Sequence, residues 1–189
     1  MTQLSKRVLF NSRIKQSKTS DSSGKDFYET PTWGTELMLD YLNLKLGLTA
    51  LEPCNGRGSI SNVLKARGLD VTTFDIDSER EADKHLDFLT YDGHDEFDLV
   101  ITNPPFKSNF NWEFAIKSLE VVKDGGLVIM LGHITKLEGQ KRVRFYDEYP
   151  MKIVLVHSKR YDINGKTGIG YAWFIWQKGY QGPTELKIL

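Results

Sequence analysis

The chain has 189 residues, of which 40% are hydrophobic and 26% are charged, and this is the composition of a globular protein with one core. Its formal net charge of zero selects neither an acidic nor a basic partner, and its one cysteine excludes a disulfide framework. The scattered histidines predict no metal site, and the lack of a long apolar run predicts a cytoplasmic protein with no membrane partner.

Charge is distributed unevenly along the chain. Residues 1–25 carry six Lys and Arg against one Asp, residues 75–98 carry ten acids against two bases, and residues 135–160 are again basic. The basic segments are compatible with nucleic acid and equally with a solvated surface. We interpret residues 1–25 as a flexible basic tail and residues 26–189 as a single domain.

Helices and strands are predicted to alternate after the tail. Helical spacing and terminal signals predict helices in "TPTWGTELMLDYL", "SISNVLKARG", "SEREADKH", "NWEFAIKSLEVVKDGG" and "GQKRVRFYDEY", with Thr30 as the N-cap of the first helix and Pro31 at its first helical position. Strands are predicted in "LTALEP", "VTTFDID", "FDLVIT", "LVIML", "KIVLVH" and "GYAWFIW", with one more ending near "LDFL". The pattern predicts an α/β fold: a doubly wound, mostly parallel seven-stranded sheet whose last strand is antiparallel.

The segment "LEPCNGRGS" joins the first strand to its helix and has the composition of a ligand-binding loop. Gly56 and Gly58 permit positive φ and close approach of a ligand, and the helix N-terminus that follows favours an anion. A dinucleotide fingerprint needs a third glycine, where this chain has Ser61. The acid before the loop, Glu52, indicates instead a ligand with a positive group, such as an amino acid or a sulfonium.

Two further acids follow at the predicted ends of the next strands. Asp75 ends the second strand, where a carboxylate can bind ribose hydroxyls. Asp87 lies where the third strand should end, and it can accept from an exocyclic adenine amine, with Phe88 beside it as an apolar wall. Acids at strand ends also cap helices, and that alternative stays open for both.

The fourth strand runs directly into "ITNPPF". Asn103 offers a carbonyl acceptor. Pro104 and Pro105 have fixed φ and no N–H, so the carbonyl of Pro104 is a second fixed acceptor. Phe106 offers a flat apolar face for stacking. These residues predict a socket for a planar amine, such as adenine N6, cytosine N4 or a carboxamide, whose developing positive charge the two acceptors would stabilise.

These segments resemble the amino-group S-adenosylmethionine-dependent methyltransferases, and especially the N6-adenine DNA methyltransferases. "LEPCNGRG" resembles their E-P-x-x-G-x-G cofactor loop, and "NPPF" resembles their [DNS]-P-P-[YFW] catalytic motif. "DFYETPTW" is similar to their F-x-T-P segment, and "KDGGLVIML" and "RYDINGKTGIGYAWFIW" are similar to their fifth strand and final hairpin. The similarity spans residues 27–176 and implies a class I Rossmann-like methyltransferase domain with S-adenosylmethionine as cofactor.

The resemblance also implies a role for each matching residue. The substrate amine would be held by Asn103, Pro104, Pro105 and Phe106. The cofactor would contact Tyr28, Thr30, Glu52, Pro53, Gly56, Gly58, Asp75, Ile76, Asp87, Phe88 and Asn103. Among these, Asp75 would hold the ribose, Asp87 and Phe88 would hold the adenine, and no metal is implied.

The chain departs from the family because no segment is long enough to be a target-recognition domain. Extrusion of a base from a duplex costs a few kcal/mol, and some part of the assembly must provide it. The basic segments, a second copy in a homodimer, a separate specificity partner or a single-stranded target would each meet that need. Small enzymes of this kind resemble those that phages carry.

The favoured function is therefore site-specific methylation of adenine N6 in DNA. Methylation of adenine in RNA and methylation of glutamine in protein use the same kind of socket and stay open. A catalytically silent protein that binds the cofactor and DNA is the third alternative, although no motif position looks damaged.

Overall fold

The computed structural model describes residues 29–105, 111–161 and 170–189. The predicted tail, residues 1–25, lies outside the described residues. The described helices are α1 (Thr32–Leu42), α2 (Ser61–Ala66), α3 (Asn111–Val121) and α4 (Gln140–Glu148), with 3-10 turns at Phe88–Thr90 and Ile134–Leu137. The described strands are β1 (Thr49–Glu52), β2 (Asp70–Asp75), β3 (Lys84–His85), β4 (Phe97–Thr102), β5 (Val122–His133), β6 (Ile153–Val156), β7 (Tyr171–Gln177) and β8 (Glu185–Ile188).

All eight strands form one sheet in the order β3-β2-β1-β4-β5-β7-β6-β8. Strand β7 runs antiparallel to β5 and to β6, and every other neighbouring pair is parallel. The predicted doubly wound and mostly parallel α/β fold is confirmed. After β1 the chain builds β2 and β3 on one side and then returns to β4 on the other, so the ends of β1 and β4 flank a crevice.

The sheet is buried on both faces, which is why its central strands have near-continuous apolar sequences. One face carries the apolar side of α1 and α2, where Met38 and Leu64 pack against Ile101 and Ile129. The other face carries α3 and α4, which cover Val100 and a set of aromatic residues. Both cores hold the carboxyl ends of β1 and β4 in fixed positions beneath the crevice.

Two predictions of secondary structure in the acidic region and at the C-terminus are corrected. The segment "SEREADKH" contains no helix; it forms turns and ends in β3, because Asp83 Oδ2 accepts from the backbone N and Oγ1 of Thr73 at 2.7 and 2.8 Å and so ties the segment to β2. The sheet has eight strands where seven were predicted. The additional strand is β8, which pairs parallel to β6.

Two helix boundaries also differ from the prediction. Helix α1 begins at Thr32 with Pro31 in the N-cap position, and no side chain caps it. The hydroxyl of Thr30 does not cap the helix and instead accepts a hydrogen bond from Asn103. Helix α3 ends at Val121, and β5 begins at Val122, so the "VVKDGG" segment leads directly into the sheet instead of extending the helix to a glycine stop.

Candidate active site

A hydrogen bond connects the N-P-P segment after β4 to the segment before α1. Asn103 follows the last residue of β4, and its Nδ2 donates to Thr30 Oγ1 at 3.0 Å. Thr30 is 3% exposed, so this bond is shielded from water. The bond spans 73 residues of sequence and orients the amide, because a nitrogen that faces Thr30 turns the oxygen of the same amide the other way.

The residues after Asn103 continue the motif along the edge of the sheet. Pro104 is buried and Pro105 is exposed, and both extend the end of β4 without entering a helix. Neither proline has an N–H that could compete for the carbonyl of Pro104. Phe106 and Tyr28 lie outside the described residues.

The glycine loop between β1 and α2 is held by its own side chains. Gly56 and Gly58 have φ of 57° and 78°, in the left-handed region where glycine is favoured. Asn55 accepts from Ser61 Oγ at 2.6 Å and donates from Nδ2 to the carbonyl of Glu81 at 2.5 Å. These contacts hold the loop in one backbone conformation between β1 and α2.

Asp75 ends β2 as predicted and binds the same loop. Its Oδ2 accepts from the N–H of Gly56 at 2.7 Å, and its Oδ1 accepts from the N–H of Asp77 at 2.9 Å. The carboxylate is 8% exposed. The visible role of Asp75 is therefore to hold the glycine loop against β2, and its contact with a ribose stays a prediction.

Glu29 joins the segment before α1 to the glycine loop. Its Oε1 accepts from Ser59 Oγ at 3.0 Å, and its Oε2 lies 4.0 Å from Arg57 Nη1. The adjacent Thr30 meets Asn103. Two neighbouring residues therefore contact both halves of the predicted site.

Glu52 is the most unusual group at this edge of the sheet. It ends β1, is 1% exposed, and accepts from the N–H of Cys54 at 2.9 Å. Burial raises its pKa to about 8, although the hydroxyl of Thr102 and the Cys54 N–H oppose the shift. A positively charged ligand would stabilise the ionised form of such a buried carboxyl.

The remaining predicted cofactor residues lie around the ends of β1, β2 and β3. Pro53 is buried directly after Glu52, and Ile76 is 71% exposed directly after Asp75. Asp87 is exposed, and its Oδ1 caps the 3-10 turn by accepting from Leu89 N at 3.0 Å. Phe88 is 2% exposed and packs 5.6 Å from the ring of Phe114, which gives it a role in the core. Contact of any of these residues with a cofactor stays a prediction.

The geometry fits S-adenosylmethionine at one group. Glu52 supplies a buried carboxyl at the end of β1 for a positive amino or sulfonium group. Among the described residues, no three His, Cys, Asp or Glu side chains are grouped so that they could hold a metal ion. None of the described helices is long and apolar enough to cross a membrane.

Sequence reasoning missed three residues that build the site. Asn55 and Ser61 hold the glycine loop, and Glu29 ties the loop to the segment before α1. The sequence contained one indication of these contacts, which is Ser61 in place of the third glycine. A buried serine at that position needs a hydrogen-bond partner. No sequence pattern identified Glu29, whose contact with Ser59 depends on the tertiary fold.

We expect Gly56→Val to weaken cofactor binding by at least about tenfold, because a β-branched residue is strained at positive φ and would displace the N–H that Asp75 holds. Isothermal titration calorimetry with S-adenosylmethionine measures the effect. Gly47→Val is the matched control, since Gly47 also has positive φ, at 75°, but lies outside the loop. Unchanged affinity in Gly56→Val would contradict the assignment of the loop.

A separate cavity of about 400 Å³ lies beside α1 and contains none of the predicted site residues. It is lined by Trp33, Leu37, Arg67, His157 and Lys159, among others. His157 is 5% exposed, and neither ring nitrogen has a hydrogen-bond partner among the described residues. Burial lowers its pKa from 6.5 to about 4, so the imidazole is neutral in the folded protein at pH 7.

Because the pKa of His157 is lowered in the folded state, we predict that the folded protein loses stability in mild acid. The unfolded chain binds the proton at higher pH than the folded protein, so the free energy of unfolding falls as the pH drops below 6.5 and levels off below about 4. Between pH 7 and pH 5 the loss is about 2 kcal/mol. Urea unfolding of the wild type and of His157→Phe measures it, and equal pH slopes in the two proteins would contradict the prediction.

Comparison with solved structures identifies the architecture. A proposed class I S-adenosylmethionine-dependent methyltransferase from Listeria monocytogenes matches 82% of this chain with a TM-score of 0.60 and 14% identity. A proposed RNA methyltransferase from Pyrococcus horikoshii matches 94% with a TM-score of 0.62 and 17% identity. A type I restriction-modification methyltransferase subunit from Streptococcus thermophilus matches 83% with a TM-score of 0.60 and 15% identity.

The chain has the class I methyltransferase fold. It spans 62% of the Listeria chain, 46% of the Streptococcus chain and 99% of the Pyrococcus chain. No family model matches the sequence, and no curated protein matches it either. At these identities the likeness establishes the fold, and activity has to be argued from the site.

Proposed function

We propose that this protein transfers a methyl group from S-adenosylmethionine to the N6 amino group of adenine in DNA. The observation that carries the proposal is the hydrogen bond from Asn103 Nδ2 to Thr30 Oγ1, which fixes the amide of the N-P-P motif at the edge of the crevice. The glycine loop and the buried Glu52 lie at the end of β1, the strand next to β4, on the other side of the same crevice.

The proposed chemistry needs two acceptors for one amine. Asn103 Oδ1 and the carbonyl of Pro104 accept the two N–H groups of the target amine. Its nitrogen is a poor nucleophile because the lone pair is delocalised into the ring. The two hydrogen bonds favour a pyramidal nitrogen and stabilise the positive charge that develops on it. Phe106, the next residue in the sequence, is proposed to stack on the flat base.

S-adenosylmethionine supplies an electrophilic methyl group on a positively charged sulfur. Glu52 is proposed to bind the positive methionine end, with Gly56 and Gly58 allowing close approach of the backbone. The exposed Ile76 and Asp87 border the ends of β2 and β3 and are proposed to contact the adenosine. Tyr28, Pro53 and Phe88 are proposed as further contacts on the family resemblance.

DNA is proposed as the substrate for two reasons. The socket suits a planar exocyclic amine, and the segment of residues 135–160 that borders the end of β5 is basic, as a polyanion requires. The restriction-modification subunit among the structural neighbours supports the same substrate class. The Pyrococcus neighbour, which this chain spans almost completely, favours adenine in RNA as the second candidate.

Transfer of a radiolabelled methyl group to duplex DNA, single-stranded DNA, RNA and a protein extract tests the proposal. Hydrolysis and mass spectrometry then identify the modified residue. We expect N6-methyladenine in DNA and an initial rate of labelling about a hundredfold lower in Asn103→Ala. Label confined to RNA or to glutamine would contradict the DNA assignment, and a wild-type rate of labelling in Asn103→Ala would contradict the assignment of the site.

A further inference from the structure

Strand β8 forms a free edge of the sheet. Its inner side pairs with β6, and within the described ranges no segment pairs with its outer side. All four residues of the strand, Glu185–Ile188, are exposed. An unpaired edge of this kind is a template for another strand, because its outward N–H and C=O groups lack partners in the sheet.

The hydrogen bonds of β8 show which residues face outward. Glu185 N donates to Lys152 O at 3.0 Å, and Leu189 N donates to Val156 O at 2.8 Å. Because successive residues in a strand point their backbone groups to opposite sides, Leu186 and Ile188 present theirs to the free edge.

The side chains of β8 alternate between the two faces of the sheet, with the apolar ones on one face and the charged ones on the other. Leu186 is aligned with Val154, which belongs to the core under α3 and α4, so Leu186 and Ile188 lie on that face. They are 58% and 62% exposed. Glu185 lies on the opposite face, where its Oε1 accepts from Tyr41 of α1 at 2.7 Å, and Lys187 shares that face by alternation.

We propose that a second copy of this chain pairs with β8, in antiparallel orientation and with Leu186 opposite Leu186 of the other copy. A two-fold axis through this point lets the outward backbone groups of both leucines bond to each other. It also places Glu185 of each copy opposite Lys187 of the other, and it brings the exposed leucines together on one face.

Charge selects this register over its neighbour. A shift of the axis to Lys187 would also match outward backbone groups, but it would place the two Lys187 side chains opposite each other and leave Glu185 without an opposite charge. Like charges directly opposite in a sheet are destabilising, and opposite charges stabilise the pair. The register centred on Leu186 is therefore the one that the sequence of β8 favours.

The proposed dimer has a consequence for the two crevices. A two-fold axis perpendicular to the sheet reverses the direction of every strand in the second copy. Because the crevice lies at the carboxyl ends of the parallel strands, the two crevices open at opposite ends of the continuous sheet. Such a dimer does not bring two crevices onto one target, and this inference stands independently of the proposed function.

Sedimentation of the full chain from about 5 to about 500 µM tests the proposal, since a short edge contact gives a weak dimer. We expect the average mass to rise from one chain toward two over this range. Leu186→Pro is expected to raise the dissociation constant at least about tenfold, because proline removes the outward N–H and leaves the bonds to β6 in place. Circular dichroism verifies that this variant is folded.

A charge reversal supplies the matched control. Glu185→Lys alone and Lys187→Glu alone are each expected to weaken the dimer, and the double variant is expected to restore it, because the double exchange is again self-complementary. Tyr41→Phe removes the hydrogen bond to Glu185 without changing charge and should leave the dimer unchanged. A wild type that remains one chain throughout, or a double variant as weak as the singles, would overturn the proposal.

Discussion

Replacement of Asn103 by alanine is expected to lower turnover about a hundredfold, while the affinity for S-adenosylmethionine stays within about threefold of wild type. The side-chain oxygen is proposed to accept from the target amine and to stabilise the charge that develops on it. An interaction made in the transition state affects turnover more than it affects ground-state binding. Single-turnover methyl transfer measures the first quantity, and calorimetry with the cofactor measures the second.

Thr30→Val tests how much the orientation of the Asn103 amide contributes to turnover, apart from the presence of its oxygen. Valine has nearly the shape of threonine but cannot accept from Asn103 Nδ2, so the amide loses the contact that orients it while its oxygen remains. We expect a loss of turnover of about tenfold, smaller than the loss in Asn103→Ala. Wild-type turnover in Asn103→Ala would contradict the proposed mechanism, and a larger loss in Thr30→Val would show that Thr30 acts through more than this bond.

The fold followed from local patterns wherever burial was nearly complete. The central strands and the helices that cover them have periodicities set by the core, and the antiparallel direction of β7 was predicted because the sequence between the last two predicted strands has no helical pattern. The failures lie where side chains compete with regular structure. Asp83 holds its segment to β2 in place of a helix, and Thr30 binds Asn103 instead of capping α1.

The last strand was missed for a different reason. "ELKI" at Glu185–Ile188 is short and fully exposed, so its side chains do not give the buried pattern by which a strand is predicted. Its pairing with β6 is made by the backbone, and the sequence does not record backbone pairing at an edge.

The candidate site was predictable as a set of strand ends but not as a set of contacts. Asp75 and Glu52 occupy the predicted positions at the ends of β2 and β1. The hydrogen bonds from Asp75 to Gly56 and from Glu29 to Ser59 join residues far apart in sequence, and only the tertiary structure brings them together. Burial of Glu52 likewise depends on the packing of both cores.

Binding of S-adenosylmethionine is expected to release nearly one proton per chain at pH 7. Burial raises the pKa of Glu52 to about 8, so the free protein holds this carboxyl protonated at pH 7. A positive amino or sulfonium group beside it favours the ionised form, and the proton then leaves to the buffer. Calorimetric titrations in phosphate and in Tris measure the release, because the two buffers take up a proton with different enthalpies.

Glu52→Gln is the control that assigns this proton. Glutamine keeps the size and an acceptor but has no proton to release, so the binding enthalpy of the variant should be the same in both buffers, and its affinity for S-adenosylmethionine should fall.

The same variant tests how the stability of the ligand-free protein depends on pH. The folded state of the wild type holds a proton that the unfolded chain loses between pH 4.5 and about 8, so stability falls as the pH rises through that window. Glu52→Gln should remove this slope. Equal proton release by wild type and Glu52→Gln would place the titrating group elsewhere and would leave the loop without its proposed cationic ligand.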